Sequence, residues 1–95
     1  MLKIFVDTTA FEMEEIEKAL HKNEFMRVKE LSHKLKTSFL YFDLIEIAEI
    51  FQQIEKHALS NKNPEFNFKE AKEQAFKILE SFKENIIQLE NQEKP

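Results

Sequence analysis

The sequence of 95 residues contains no glycine and no cysteine, and it has only two prolines. The absence of cysteine excludes disulfide and thiolate chemistry and agrees with a reducing compartment. Tight β-hairpin turns usually need residues that accept positive φ, and glycine does so at the least steric cost. The absence of glycine therefore favours an all-helical chain.

Strong positive charge and long apolar runs are also missing. The formal net charge is −4, and lysines and glutamates are interspersed as on solvated helix faces, so we expect no nucleic-acid or membrane partner. The apolar opening MLKIFV ends at Asp7, too early for a signal peptide, and no run approaches ~18 apolar residues. We predict a soluble protein of the cytoplasm.

The length sets the expected number of domains. A chain of 95 residues is expected to form one small domain over 1–95, with a core that needs neither metal nor disulfide. The initial Met1 favours a stand-alone protein over a module of a larger one. We expect a monomer, because single helical bundles of this size are mostly monomeric.

Two amphipathic helices are predicted in the first half of the chain, because apolar residues recur there at steps of three and four. A capping box formed by Thr9 and Glu12 would start or bend the first helix at Thr9, but a continuous helix over roughly 2–22 is favoured. Asn23 suits the turn that follows. The second helix covers roughly 24–42. Its apolar residues are Phe25, Val28, Leu31, Leu35, Phe39 and Phe42.

A capping box predicts the start of the third helix, since Asp43 and Glu46 have the spacing at which two side chains cap a helix N-terminus. This helix ends near Leu59. A third pair of this spacing, Asn67 with Glu70, predicts the start of the fourth helix after a proline-containing breaker segment.

These four segments predict an all-α fold, an antiparallel four-helix bundle with short connections. The bundle is expected to occupy about 2–90, and residues 91–95 to form a frayed tail. The ten phenylalanines are interpreted as core residues.

His33 lies on the second helix between two leucines, and the helical period decides which way it points. Successive residues are about 100° apart around the axis, so Leu31 and Leu35 lie about 160° to either side of His33. With both leucines in the core, His33 faces solvent. Its face also holds Lys29, Glu30, Lys36 and Thr37, one turn away, and Met26 and Leu40, two turns away. An exposed imidazole beside lysines and an apolar rim is typical of a docking face with a central nucleophile.

The segment HKLKTS, residues 33–38, resembles the histidine-containing phosphotransfer (Hpt) domain, whose pattern is roughly H-x-L-K-G-S before a second helix that ends in L-E. The spacing matches without insertion from Val28 to the pair Ile54 and Glu55, which stands for L-E. The flanking helices correspond in length, so the resemblance spans nearly the whole chain.

The sequence departs from the family pattern at two glycine positions. Asp43 can replace a turn glycine because it tolerates unusual φ and caps helices. Thr37 stands one turn from the imidazole, and its β-branched side chain adds bulk where the loop of an incoming partner would lie. This departure bears on the rate of transfer and on the choice of partner.

The resemblance implies a phosphorelay carrier, in which His33 accepts a phosphoryl group from the phospho-aspartate of a receiver domain and passes it to another receiver. Imidazole is mostly neutral at pH 7, so an exposed ring offers a free nitrogen lone pair. Lys36 is expected to neutralise charge on the transferred phosphoryl group, and Lys29 to assist it.

Met26, Lys29, Thr37 and Leu40 are the predicted docking residues for receivers and for a hybrid histidine kinase. No pair of histidines has the spacing of a helical ligand pair, and no obvious carboxylate cluster lies beside His33, so we predict no metal and no cofactor in this chain. The Mg²⁺ and the remaining catalytic machinery are expected to come from the receiver. The protein is thus predicted to be a carrier and not an enzyme.

Two other interpretations of the sequence stay open. A degenerate bundle that binds a receiver or kinase without accepting phosphate would act as an adaptor or inhibitor, and the missing glycine is its main support. The other interpretation is a structural or oligomerising bundle, for which the long apolar seam of the last helix is the main support.

Overall fold

The computed structural model describes the backbone of residues 2–93 and the side chains of residues 3–87. Within this part of the chain the predicted all-α fold is confirmed, with no strand and four helices: α1 (Leu2–His21), α2 (Phe25–Tyr41), α3 (Ile45–Leu59) and α4 (Glu65–Glu93). None of these described helices is long and apolar enough to cross a membrane. The domain boundary near residue 90 and the frayed tail stay predictions, and residues 94–95 lie outside the described residues.

The helices form a ring in which each one packs against two neighbours, in the order α1, α2, α3, α4 and back to α1. Phe5 of α1 lies against Phe82 of α4, whereas Glu17, later in α1, pairs with Lys72, earlier in α4. These two helices therefore run in opposite directions. Short connections between successive helices predict this antiparallel arrangement. The predicted four-helix bundle is confirmed. Because α4 lies diagonally across the ring from α2, it leaves the outer face of α2 uncovered.

The core contains the predicted apolar faces, and Phe39 lies near its centre. Its side chain is fully buried, and its ring centroid is 5.7 Å from that of Phe5 and 5.5 Å from that of Phe51. Edge-on and stacked aromatic pairs of this kind add to the free energy gained from burial alone. The buried residues of α2 are Val28, Leu31, Ser32, Leu35 and Phe39.

The interpretation of all ten phenylalanines as core residues is wrong for three of them. Phe11, Phe66 and Phe76 are exposed, and Phe66 has 83% of its surface accessible. Phe11 lies about 160° around its helix from the buried Met13, and Phe66 about 160° from the buried Phe68, so both are outside the apolar stripe. Phe76 lies at the edge of the stripe, about 100° from the buried Ala75. The spacing of phenylalanines along a helix therefore predicts their burial, whereas their number does not.

Asparagine and aspartate replace glycine in the three connections between the helices. Asn23, Asp43 and Asn61 have φ values of 56°, 58° and 56°. In each connection the N–H groups of this residue and of the next donate to carbonyls of the preceding helix, at 2.8–3.2 Å. This Schellman motif normally has glycine at the positive-φ position, and asparagine and aspartate are the residues that tolerate it next best. A chain without glycine can therefore still form short helix connections.

The two capping boxes predicted to start the third and fourth helices are wrong, whereas Thr9 and Glu12 lie inside the continuous helix α1. Asp43 occupies the positive-φ position that ends α2, so it does not have the extended conformation of a helix N-cap, and α3 begins after the next residue. The fourth helix begins at Glu65, before the predicted pair Asn67 and Glu70. The N–H of Glu65 donates to Oδ1 of Asn63 at 3.0 Å. The side chain of Asn63 therefore pairs one of the backbone N–H groups that lack a partner in the first turn of the helix.

Candidate functional site

His33 lies at the middle of α2, and its side chain is 59% exposed. Leu31 and Leu35, two residues before and after it, are buried in the core. The outward orientation predicted from the helical period is therefore confirmed. Because α2 continues for two turns on either side, the packed helix fixes the position of the imidazole relative to α1 and α3.

A carboxylate of the adjacent helix lies directly beside the ring of His33. Its Nδ1 atom is 3.3 Å from Oε1 and 3.4 Å from Oε2 of Glu55 on α3. The Glu55 side chain is only 16% exposed, and its Oε2 atom lies 3.2 Å from Nζ of Lys36. Glu55 thus bridges the imidazole and an ammonium group that lies one turn along α2.

The contact with Glu55 determines which ring nitrogen of His33 is free. An ionised carboxylate only accepts hydrogen bonds, so the neutral imidazole carries its proton on Nδ1 and donates it to Glu55. The Nε2 atom then keeps its lone pair. The arrangement presents one defined nucleophilic atom on the exposed imidazole.

His33 borders an open depression of about 550 Å³, whose other walls are Lys29, Glu30, Lys34 and Glu55. Lys29 is half-buried, and Lys34 is exposed. Among the described residues, Lys36 is not part of this wall, because its side chain is only 21% exposed and lies against Glu55. The predicted phosphoryl-stabilising lysine is therefore close to the imidazole but directed to a carboxylate.

Thr37 is exposed one turn after His33, and its Oγ1 atom donates to the backbone carbonyl of His33 at 3.0 Å. This bond to the preceding turn fixes the rotamer of the hydroxyl group. Thr37 also borders a groove of about 360 Å³ between α1 and α2, together with Ile4, Thr8 and Tyr41. The residue that replaces the glycine of the Hpt pattern thus lines an apolar groove next to the histidine.

The predicted apolar docking residues are accessible, and α1 adds two that the sequence analysis missed. Met26 and Leu40, two turns to either side of His33 on α2, are both exposed. Ile4 and Phe11 on α1 are also exposed. They are seven residues apart, so they share one stripe of α1 outside its buried face. That spacing was the available signal for a second apolar surface.

A half-buried carboxylate on α1 lies close to Lys34. The Oε2 atom of Glu12 is buried and has no hydrogen-bond partner among the described residues. Burial raises the pKa of Glu12 above its usual value, and the positive charge of Lys34 opposes this shift. Lys34 therefore lies within electrostatic reach of Glu12 while it also borders the depression beside His33.

Replacing Glu12 with glutamine is expected to raise the midpoint of thermal unfolding at pH 7. The raised pKa means that the folded chain binds a proton at Glu12 more tightly than the unfolded chain does. The stability from this group is fully present below the unfolded pKa and is lost as the pH rises through the folded pKa. Glutamine has no charge to bury, so its advantage exists above the folded pKa and disappears in acid.

Circular dichroism melts of the parent and Glu12→Gln chains between about pH 3 and pH 7 measure this difference. Glu14→Gln, an exposed position on the same helix, is the matched control and should give no gain that depends on pH. A gain for Glu12→Gln that is as large at pH 3 as at pH 7 would contradict the role of the buried charge.

One known protein family matches almost the whole chain. A family model described as the Hpt domain matches residues 1–92 of the 95-residue chain. This chain belongs to the Hpt family. No curated protein and no solved structure matches it. The resemblance carried by residues 33–38 is thus confirmed, and the four described helices are those of an Hpt bundle.

Membership of the Hpt family gives the general function. Hpt domains have a phosphotransfer role in two-component signalling, act as phosphocarriers rather than catalysts, and interact with receiver domains and kinases. Glu55 is the residue at this site whose contacts the sequence analysis missed. The L-E pair of the Hpt pattern was a signal for its position, but only packing of α3 against α2 places its carboxylate beside Nδ1.

Proposed function

We propose that His33 is the phosphoacceptor of this Hpt domain, and that it takes a phosphoryl group from the phospho-aspartate of one receiver and passes it to another. The contact between Nδ1 and Glu55 is the observation that best supports the proposal, because it leaves Nε2 as a nucleophile on an exposed, mid-helix imidazole. The proposal assigns the chain to the cytoplasm, as the sequence predicts.

The proposed transfer is a displacement at phosphorus. The Nε2 lone pair forms the new N–P bond while the P–O bond to the receiver aspartate breaks, and its electron pair returns to the aspartate carboxylate. Nδ1 keeps its proton, so the ring becomes a phosphoimidazolium cation and no proton has to leave. The carboxylate of Glu55, 3.3 Å from Nδ1, then balances the positive charge of the ring. Transfer to the second receiver reverses these steps.

The remaining requirements of phosphoryl transfer are alignment and charge stabilisation. Lys36 was predicted to supply positive charge, and this role stays a prediction. Among the described residues, no group of three or more histidine, aspartate and glutamate side chains is placed to hold a metal ion. The proposal therefore assigns Mg²⁺ and the residues that bind it to the receiver.

The proposed docking face surrounds His33 on α2 and continues onto α1. Met26 and Leu40 offer exposed apolar contacts, Lys29 offers positive charge, and Thr37 borders the groove between the two helices. Ile4 of α1 extends the apolar surface beyond this groove. A receiver that covers this surface would bring its phospho-aspartate to Nε2 while the apolar rim excludes water.

Incubation with a panel of phosphorylated receiver domains tests the proposal. The parent chain should acquire phosphate that is labile in acid and stable in alkali, and it should pass this phosphate to a second, unphosphorylated receiver. His33→Gln should acquire none. His21→Gln, a change at another exposed histidine, is the matched control and should be labelled like the parent.

Two outcomes would contradict the carrier function. Binding of receivers without phosphate on His33 would show an adaptor or inhibitor, the interpretation that Thr37 in place of glycine supports. If no receiver binds the chain and none labels it, the interpretation as a structural bundle remains.

A further inference from the structure

Three lysines surround His33 on α2, and they are not equivalent. Lys36 has its ammonium nitrogen 3.2 Å from Glu55 and a largely buried side chain. Lys29 and Lys34 border the depression beside the imidazole instead. Among the described residues, neither of these two has a carboxylate oxygen within 4.0 Å.

Lys36 is poorly placed to bind a phosphoryl group on Nε2. Its ammonium group shares the carboxylate of Glu55 with Nδ1, the other ring nitrogen. If it moved to the phosphoryl group, the carboxylate of Glu55, which is only 16% exposed, would keep the imidazole of His33 but lose its ammonium partner. A phosphoryl group of about −2 charge would arrive at the same time. Breaking an ion pair whose carboxylate is largely buried is costly, so the pair of Lys36 and Glu55 should persist.

Resting on the proposed function, we infer that Lys34 binds the phosphoryl oxygens of phospho-His33, assisted by Lys29, which borders the same depression. Lys36 is then a positioning residue that holds Glu55. Lys34 leaves the helix about 100° from His33, but its long, flexible side chain reaches the same depression. Glu12 attracts Lys34 from the side of α1 without an ion pair shorter than 4.0 Å, so the ammonium group stays free to move.

The charges around the depression support this division of roles. Lys36 offsets Glu55, and one of the other two lysines offsets Glu30. One positive charge is then left within the depression to attract a phosphoryl group, since Glu12, which attracts Lys34 from the side of α1, does not border it. Neutralising Lys34 removes this excess charge, whereas neutralising Lys36 acts first on Glu55 and on the proton at Nδ1.

The inference can be tested without a receiver, so its failure is distinct from failure of the proposed relay. Phosphoramidate, a small phosphodonor, forms the N–P bond with a histidine as its own P–N bond breaks and ammonia leaves. The ³¹P resonance of phospho-His33 is assigned by its absence in His33→Gln. The chemical shift of this resonance is then followed as a function of pH, and the midpoint of its change is recorded for each variant. The variants are Lys34→Gln, Lys36→Gln and, as a matched control on the exposed surface of α4, Lys77→Gln.

Lys34→Gln should move the midpoint of the ³¹P titration upward by about 0.8 pH unit relative to Lys77→Gln, as expected for loss of a unit charge roughly 4 Å away in water. Lys36→Gln should move the midpoint less but should change the ¹⁵N shifts of the unphosphorylated imidazole. The inference is wrong if Lys34→Gln moves the midpoint no further than Lys77→Gln or Lys36→Gln. It is also wrong if phosphoramidate leaves His33 of the parent chain unlabelled.

Discussion

Glu55→Gln is expected to slow phosphoryl transfer from a receiver to His33 by about 10–100-fold, the usual effect of removing the carboxylate that orients a functional histidine. An amide has the size of the carboxylate, but it can donate as well as accept. The proton of the imidazole is then no longer restricted to Nδ1, and Nε2 loses its lone pair in part of the population. The negative charge that balances the phosphoimidazolium ring is also lost.

Stopped-flow transfer at saturating receiver concentration measures the rate, and ¹⁵N NMR of the ring nitrogens measures the position of the proton. Glu73→Gln, at an exposed position on α4, makes the same chemical change away from the imidazole and should leave both unchanged. Equal transfer rates for the two variants would show that Glu55 does not control the nucleophile.

Phe39→Ala is expected to lower the free energy of unfolding by about 3–5 kcal/mol, the typical cost of removing a buried aromatic ring. The Phe39 ring is fully buried between Phe5 and Phe51, so the substitution removes contacts with both α1 and α3. For a domain of this size the loss corresponds to a fall of roughly 12–40 °C in the midpoint of thermal unfolding. This is a large part of the total stability expected for one small domain.

Phe66→Ala is the matched control for this prediction. Phe66 is 83% exposed, and removal of its ring should change the free energy of unfolding by no more than about 0.5 kcal/mol. Chemical denaturation of both variants, fitted to a two-state transition, gives the comparison. Equal losses of stability would show that Phe66 is packed in solution and that the assignment of the core is wrong.

The sequence predicts the fold well because the decisive information is local. Val28, Leu31, Leu35 and Phe39 recur at helical spacing, and all four are buried on one side of α2. The helix starts were predicted less well, since Asp43 was assigned to the beginning of a helix although it ends the preceding one. Aspartate suits both positions, and the choice depends on the carbonyls that its backbone N–H reaches in the folded chain.

The candidate site, too, could be predicted from the sequence only in part. The exposure of His33 follows from its angle to Leu31 and Leu35, so one helix is enough to predict it. The position of Glu55 depends on the register of α3 against α2, which no periodicity within either helix contains. The pairing of Lys36 with Glu55 depends on that register too, so the sequence predicted a lysine beside the imidazole but not the group that it contacts.

The diagonal position of α4, together with the lack of cysteine, offers a practical route to fluorescence measurements. A single thiol introduced by Lys77→Cys would be the only one in the chain, because the sequence has none of its own. A dye coupled there would sit on the outer surface of α4, away from the face that carries His33. It would report the tumbling of the labelled protein as a receiver binds, without obstructing the imidazole.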